Sequence, residues 1–152
     1  MAIHRPVVLI GGKLCQLPTG DTLSAKIQEV DVVELQAKAI LDAGMAVYNN
    51  GGFQVMKADA ATDAKANVLG LAWTSAIVDA YVNVQTDGVL ELADWGPATG
   101  GTDTFLVSGA QYFLGVEGLI TNTPPTTGNS VYIGRSISPQ KMEISIERPI
   151  GL

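Results

Sequence analysis

One histidine and one cysteine near the start of the chain are the residues best suited to catalysis. His4 and Cys15 are the single residues of their types, and a β-hairpin over this stretch would bring them close together. A catalytic histidine also needs an orienting carboxylate and a nucleophile beside it, whereas a free cysteine usually packs as a small hydrophobic side chain. We therefore expect the chain not to be an enzyme. A small hydrolase or ligand-binding β-barrel, supported only by this pair, is the alternative.

The acidic side chains are scattered and do not follow a metal-binding spacing. None of them matches a calcium-binding loop, and a single cysteine excludes a paired-cysteine metal clip. Asp is common in turns, where its side chain accepts backbone hydrogen bonds. We interpret the acids as solvated turn residues and expect neither a metal nor a cofactor. The residues concerned are Asp59, Asp63, Asp79, Asp87, Glu91, Asp94 and Asp103.

Two glycine pairs are the places to look for a phosphate-binding loop. They are Gly51-Gly52 and Gly100-Gly101. Neither is followed by a Lys-Ser/Thr pair or by a predicted helix, which such a loop requires. We interpret both pairs as turn glycines.

The composition suits a β-protein with little charged surface. Charged residues make up 16% and hydrophobic residues 47% of the 152 residues, whereas an average domain is about 25% charged. The formal charge is −6, and the Lys and Arg residues do not cluster, so nucleic acid and anionic membranes are poor partners. The apolar run Val7–Ile10 is too short for a signal peptide, and no stretch reaches the roughly 18 apolar residues of a membrane helix. We expect synthesis in a reducing cytoplasm.

The chain begins with a hairpin pattern. Val7–Ile10 and Lys13–Leu17 flank Gly11-Gly12, a two-residue link suited to a hairpin turn, and a Pro-Thr-Gly linker follows. We predict an N-terminal arm over residues 1–20 and a β domain over residues 21–152. The alternative is an ordinary edge hairpin of the same domain. An apolar arm of this kind is suited to adding a strand to the open sheet edge of a neighbour.

Residues 23–44 combine a helix-forming composition with a strand-like pattern. Ala, Leu, Glu, Lys and Gln are frequent there and favour a helix. From Val33 to Ala39, however, apolar and polar residues alternate, which is the two-residue period of a strand. We predict a strand over residues 29–38 and leave open a helical turn near Ile40.

Hairpin patterns then recur along the chain. Turn residues separate apolar segments in AVYNNGGFQVMKA, AYVNVQTDGVLELA, QYFLGVEGLIT and VYIGRSISPQKMEISIERPI, and VLGLAW is a further strand. In AYVNVQ, Tyr81, Asn83 and Gln85 alternate with Val82 and Val84, so one face of this strand is expected to be buried. Short strands at this spacing predict an all-β fold, either a small β-barrel or a sandwich of antiparallel strands.

Trp95 is a large aromatic residue inside the loop DWGPATGG. A residue of this kind either plugs the end of a barrel or lies in a subunit contact. Without a basic groove, the other Trp and Tyr residues are expected to pack in the core or in interfaces rather than to stack on sugars or bases.

The order of short motifs resembles that of head-decoration (capsid cement) proteins of tailed phages, a pattern that some tail-fibre and baseplate proteins share. PVVLIGGKLCQLPTGDTL is similar to the arm that precedes their β domain. AILDAGMAVYNNGGFQVMKADAATDAKANVLGLAW resembles their succession of glycine turn, strand, "ADA" loop and glycine-containing strand. YFLGVEGLITNTPPTTGNSVYIGRSISPQKMEISIE resembles their C-terminal hairpin, Pro-containing loop and closing strand. The middle segments TSAIVDAYVNVQTDG and DWGPATGGTD depart from the pattern.

The resemblance implies a virion structural protein without catalytic residues. Its fold would be a compact β-barrel or β-tulip, usually a homotrimer, which is made in the host cytoplasm and binds the major capsid protein on the capsid exterior through its arm. It would stabilise contacts between major capsid subunits. The alternative is a tail-fibre or baseplate component that binds a receptor, such as a host glycan, through exposed Trp and Tyr. The residues predicted to contact the capsid or another subunit are Pro6, Val7, Val8, Leu9, Ile10, Leu17 and Trp95.

Overall fold

The computed structural model describes residues 7–10, 13–16, 31–101 and 104–152, with the backbone alone in the first two ranges, and it is nearly all β-structure. The predicted all-β class is confirmed. The strands are β1 (Val7–Ile10), β2 (Lys13–Gln16), β3 (Val32–Ala37), β4 (Ala46–Gly51), β5 (Gln54–Lys57), β6 (Val68–Ala72), β7 (Tyr81–Gln85), β8 (Gly88–Glu91), β9 (Gln111–Leu114), β10 (Ile120–Thr121), β11 (Asn129–Ser130), β12 (Tyr132–Ser138), β13 (Lys141–Ile144) and β14 (Ile150–Gly151).

Among the described residues, helical structure is limited to short turns. A 3₁₀ helix spans Asp63–Lys65, and a four-residue α-helix, α1, spans Gly96–Thr99. No helix in the part of the chain that the structure describes is long and apolar enough to span a membrane.

Five strands close into a small barrel in the order β3-β5-β4-β6-β7. Strand β3 pairs with β7 antiparallel and with β5 parallel, the latter through Gln36 opposite Gln54. The barrel is therefore confirmed, but its strands are not all antiparallel as predicted. A parallel pair needs a crossover connection rather than a tight turn, and here the intervening chain includes β4, which lies on the far side of β5.

The barrel interior is filled by aliphatic side chains that alternate along the strands. Leu35 and Ala37 of β3 point inward, so the two-residue period prevailed over the helix-forming composition, and the observed strand lies within the predicted range. Val82 and Val84 are buried as predicted. This barrel core consists of Leu35, Ala37, Leu41, Val47, Val55, Ala72, Ala76, Val82 and Val84.

A second sheet, ordered β10-β9-β12-β13-β8, packs against one side of the barrel. Strands β4 and β6 contribute to both cores, since Val47 and Ala72 face the barrel interior while Ala46 and Leu71 face the sheet. The barrel wall is therefore apolar on both sides there. The second core consists of Ala46, Ala58, Ala60, Ala66, Leu71, Leu90, Leu92, Trp95, Ala98, Leu106, Tyr112, Leu114, Ile120, Val131, Ile133, Met142 and Ile144.

Three of the predicted hairpins within the β domain are confirmed. Strand β4 pairs with β5, β9 with β10, and β12 with β13, each antiparallel. The last pair closes with Ser138 opposite Lys141, and Met142 and Ile144 are buried while Glu143 is exposed. Turn chemistry and alternation were sufficient for these local pairs.

The predicted hairpin at Asp87-Gly88 is wrong. Both edges of β7 are occupied, by β3 and by β6, so β8 cannot pair with it. The turn instead carries the chain from the barrel to the second sheet, where β8 pairs with β13. Gly88, with φ +85°, makes this change of direction.

The N-terminal hairpin is present in the described backbone. Strands β1 and β2 pair antiparallel, with Val7 opposite Gln16 and Ile10 opposite Lys13. Among the described residues these two strands form a sheet of their own. The predicted division into an arm and a domain at residue 20 lies outside the described residues and stays a prediction.

Candidate functional site

The residues predicted to contact the capsid fall mostly on the N-terminal hairpin. Val7, Val8, Leu9 and Ile10 form strand β1, of which the backbone alone is described. Pro6 and Leu17 lie outside the described residues, as does His4 of the candidate catalytic pair. The contact assignment for this segment stays a prediction.

The predicted position of Trp95 is wrong: the side chain lies neither at the end of the barrel nor on a surface that a subunit could contact. The side chain is fully buried in the second core, between the sheet and the barrel wall. Its indole Nε1 donates a hydrogen bond of 2.9 Å to the carbonyl oxygen of Gln140, which ties the loop before α1 to the β12–β13 turn. With no exposed surface, Trp95 offers nothing to a partner.

Close packing around Trp95 depends on Gly44. A Cβ at this position would lie 2.8 Å from the Cβ of Ala98 and 3.1 Å from Cε3 of Trp95, and Gly44 has φ +89°. Both the space and the backbone conformation therefore require glycine. This arrangement makes the indole a structural element of the core.

Three of the acidic residues accept hydrogen bonds from nearby backbone groups, as expected for turn residues. Asp59, Asp87 and Asp94 each accept a backbone N–H within two residues, at 2.8 Å. Asp79 and Glu91 pair with lysines. Within ranges 31–101 and 104–152, no three His, Cys, Asp or Glu side chains converge on a position that could hold a metal ion.

The predicted turn glycines are confirmed where the structure describes them. Gly51 and Gly52 have φ +114° and +56° in the β4–β5 turn. Gly100, with φ +65°, ends helix α1. These conformations explain the glycines without any bound anion.

A turn at one end of the barrel is an apolar feature of the described surface that the sequence reasoning missed. Backbone pairing between β3 and β7 continues past the strands, because Ala37 N donates to Ala80 O at 2.8 Å and Leu41 forms an isolated bridge with Ala76. Between these points the chain turns at Ile77, whose carbonyl accepts the N–H of Ala80 at 3.2 Å.

This turn presents apolar side chains to solvent. Ile77 is 72% exposed, Val78 48%, Ile40 62% and Tyr81 67%. The antiparallel register places Ile40 opposite Ile77, next to the Leu41–Ala76 bridge. We call these four residues, Ile40, Ile77, Val78 and Tyr81, the barrel patch.

The turn contains a residue with a positive φ. Asp79 has φ +69°, a conformation that Asp adopts more readily than most residues other than glycine. Its N–H donates to Ala37 O at 2.7 Å, and its carbonyl accepts from Nε2 of Gln36 at 3.2 Å. The Asp79 carboxylate also pairs with Lys38, but an exposed ion pair adds at most about 1 kcal/mol. Backbone hydrogen bonds therefore fix the turn that carries Ile77 and Val78.

Only a weak sequence signal pointed to the barrel patch. The segment WTSAIVDAY places Ile77 and Val78 side by side, without the alternation of a strand. Adjacent apolar residues in a loop are normally expected to be buried, and their exposure depends on the Asp79 turn.

The comparisons with known proteins give no family. No protein-family model matches the chain, and no curated protein matches its sequence. The resemblance to phage decoration proteins therefore stays a prediction.

Proposed function

We propose that the chain is a structural protein of a tailed-phage virion, a decoration protein that binds the outer capsid surface and stabilises contacts between major capsid subunits. The observation that carries this proposal is the barrel patch, a group of exposed apolar side chains on a turn fixed by backbone hydrogen bonds. Contiguous exposed apolar residues mark interaction sites.

Two surfaces of the chain would share the binding. The barrel patch would pack against a capsid subunit. Burying one large aliphatic side chain there would contribute about 1.5–3 kcal/mol to the free energy of binding. The β1–β2 hairpin would add its strands to an open sheet edge of a neighbouring subunit. Neither contact is large by itself.

Multivalency would then supply the affinity. In a homotrimer on a symmetric lattice, the first contact makes the later ones intramolecular, which raises the overall affinity without new contacts. A small β-barrel with a short hairpin and the barrel patch is sufficient for this role. Catalysis is not required.

Replacing Val78 with Asp is expected to weaken binding to expanded, empty capsids of the encoding phage about tenfold or more. The substitution removes an apolar contact and forces a carboxylate into the interface. A loss of about 1.4 kcal/mol of binding free energy is already a tenfold loss of affinity. Sedimentation of capsids with increasing amounts of purified protein measures the change.

Val116→Asp is the matched control. Val116 is 52% exposed, close to the value for Val78, and lies in the β9–β10 turn outside the barrel patch. This variant is expected to bind capsids like the unmodified protein. Equal binding by both variants, or an equal loss in both, would show that the barrel patch is not the capsid contact.

A further inference from the structure

A shallow cleft lies on the outer face of the second sheet. Its volume is about 420 Å³, within the range of small-molecule sites. Phe113 and Tyr132 are its aromatic residues, and we call them its floor. The rest of the lining consists of polar side chains from β9, β11 and the segment after β13, together with Ile150 of β14. None of the four residues of the barrel patch contributes to it.

The floor of the cleft is a corner made of two aromatic rings. Tyr132 of β12 lies directly opposite Phe113 of β9, and both side chains are half-buried on the outer face, whereas Tyr112 and Leu114 point into the core. The ring centroids are 5.9 Å apart and the ring planes meet at 73°. A corner of this shape accommodates a puckered ring better than an extended flat base.

Hydrogen-bond donors and acceptors surround the two aromatic rings of the floor. Gln111 lies two residues before Phe113, and Ser130 two residues before Tyr132, so the strand period places them on the same face. Glu147 lies beside Tyr132, whose carbonyl accepts its N–H at 3.0 Å, and Arg148 follows.

These polar side chains are available to a ligand. Within the described residues, the side chains of Gln111, Ser130, Glu147 and Arg148 make no hydrogen bond or ion pair. Together they provide amide, hydroxyl, carboxylate and guanidinium groups, which can both donate and accept. One positive and one negative charge lie side by side, so the cleft has no net preference for a charged ligand.

We propose that this cleft binds a neutral saccharide unit. A sugar ring has an apolar C–H face that packs on aromatic rings, and hydroxyl groups that donate and accept hydrogen bonds around its edge. The aromatic corner and the unpaired polar side chains match these two features. The acidic balance of the chain, −6 overall, disfavours polyanions. Saccharide binding here is independent of capsid binding, so either can hold without the other.

Saturation-transfer NMR on the full chain tests this site. The probes are the methyl glycosides of glucose, galactose, mannose and N-acetylglucosamine, with methyl glucuronide as the charged comparison. We expect saturation transfer to at least one neutral glycoside and weaker or no transfer to the glucuronide. No transfer to any neutral glycoside, or a preference for the glucuronide, would overturn the assignment.

Variants locate the binding in the cleft. Glu147→Ala is expected to weaken binding of the best glycoside about tenfold, the loss typical of removing a hydrogen bond to a charged acceptor. Phe113→Leu keeps an apolar side chain but removes the ring, and should abolish saturation transfer. Glu143→Ala is the matched control, because Glu143 is exposed on the same sheet but does not line the cleft. Unchanged binding in Glu147→Ala would contradict the proposal even if Phe113→Leu did not fold.

Discussion

Replacing Trp95 with Ala is expected to lower the free energy of unfolding by about 3–5 kcal/mol. The indole is fully buried in the second core and its Nε1 donates to Gln140 O. The substitution would leave a large cavity between the sheet and the barrel and would remove this hydrogen bond. Because small domains have about 5–15 kcal/mol of stability in all, the variant would fold only marginally. Denaturant unfolding followed by circular dichroism measures the loss.

The second tryptophan provides the control for this prediction. The side chain of Trp73 is partly exposed, since the residue has 44% of its surface accessible. Its backbone N–H donates to Asn83 O, and this hydrogen bond does not depend on the side chain. Trp73→Ala is therefore expected to cost no more than about 1 kcal/mol, as for a partly exposed surface position. If the two alanine variants lost the same stability, the placement of Trp95 at the centre of the second core would be wrong.

Deletion of residues 1–20 is expected to reduce capsid binding about a hundredfold or more, equivalent to about 2.7 kcal/mol, while the rest of the chain stays folded. In the proposed role the β1–β2 hairpin supplies one of the two contacts, and losing it removes the multivalent gain as well. Among the side chains that the structure describes, both hydrophobic cores are built from residues between 35 and 146, and we expect these to be sufficient for folding. Capsid sedimentation measures binding, and circular dichroism measures folding.

A second arm variant separates strand pairing from apolar contact. Changing Val7, Val8, Leu9 and Ile10 to Thr keeps β-propensity but removes most of the apolar surface. Because main-chain hydrogen bonds supply most of the affinity of an added strand, we expect this variant to retain more capsid binding than the deletion variant. Full binding by the deletion variant would show that the arm has no part in attachment.

Local features of the fold were readable from the sequence. The hairpins β4–β5, β9–β10 and β12–β13 follow from alternating apolar residues and turn-forming residues that are close in sequence. The strand near Val33 followed from the same period, against the helix-forming composition. These signals act over a few residues, and a single sequence carries them.

Pairings between distant segments were not readable. The sequence at Asp87-Gly88 has every mark of a hairpin, yet β7 and β8 belong to different sheets because their partners come from elsewhere in the chain. The parallel β3–β5 pair that closes the barrel has no sequence signature. A strand can pair only with a neighbour whose edge is free, and which strand edges are free depends on the whole fold.

The candidate sites divide in the same way. The apolar arm was visible as a run of residues, whereas the barrel patch depends on Asp79 adopting a positive φ. The cleft combines strands β9 and β11 with the segment after β13, which only the fold brings together. The burial of Trp95 likewise needed three-dimensional neighbours, since a tryptophan in a glycine-rich loop is compatible with either a core or a surface position.

The number and position of copies in the virion test the proposed function most directly. Cryo-electron microscopy of the encoding phage, with the chain quantified against the major capsid protein, measures both. A decoration protein predicts copies on the order of hundreds per particle, arranged on the outer capsid lattice with the barrel patch and the arm against capsid subunits. A handful of copies at the tail, or none in the particle, would contradict it.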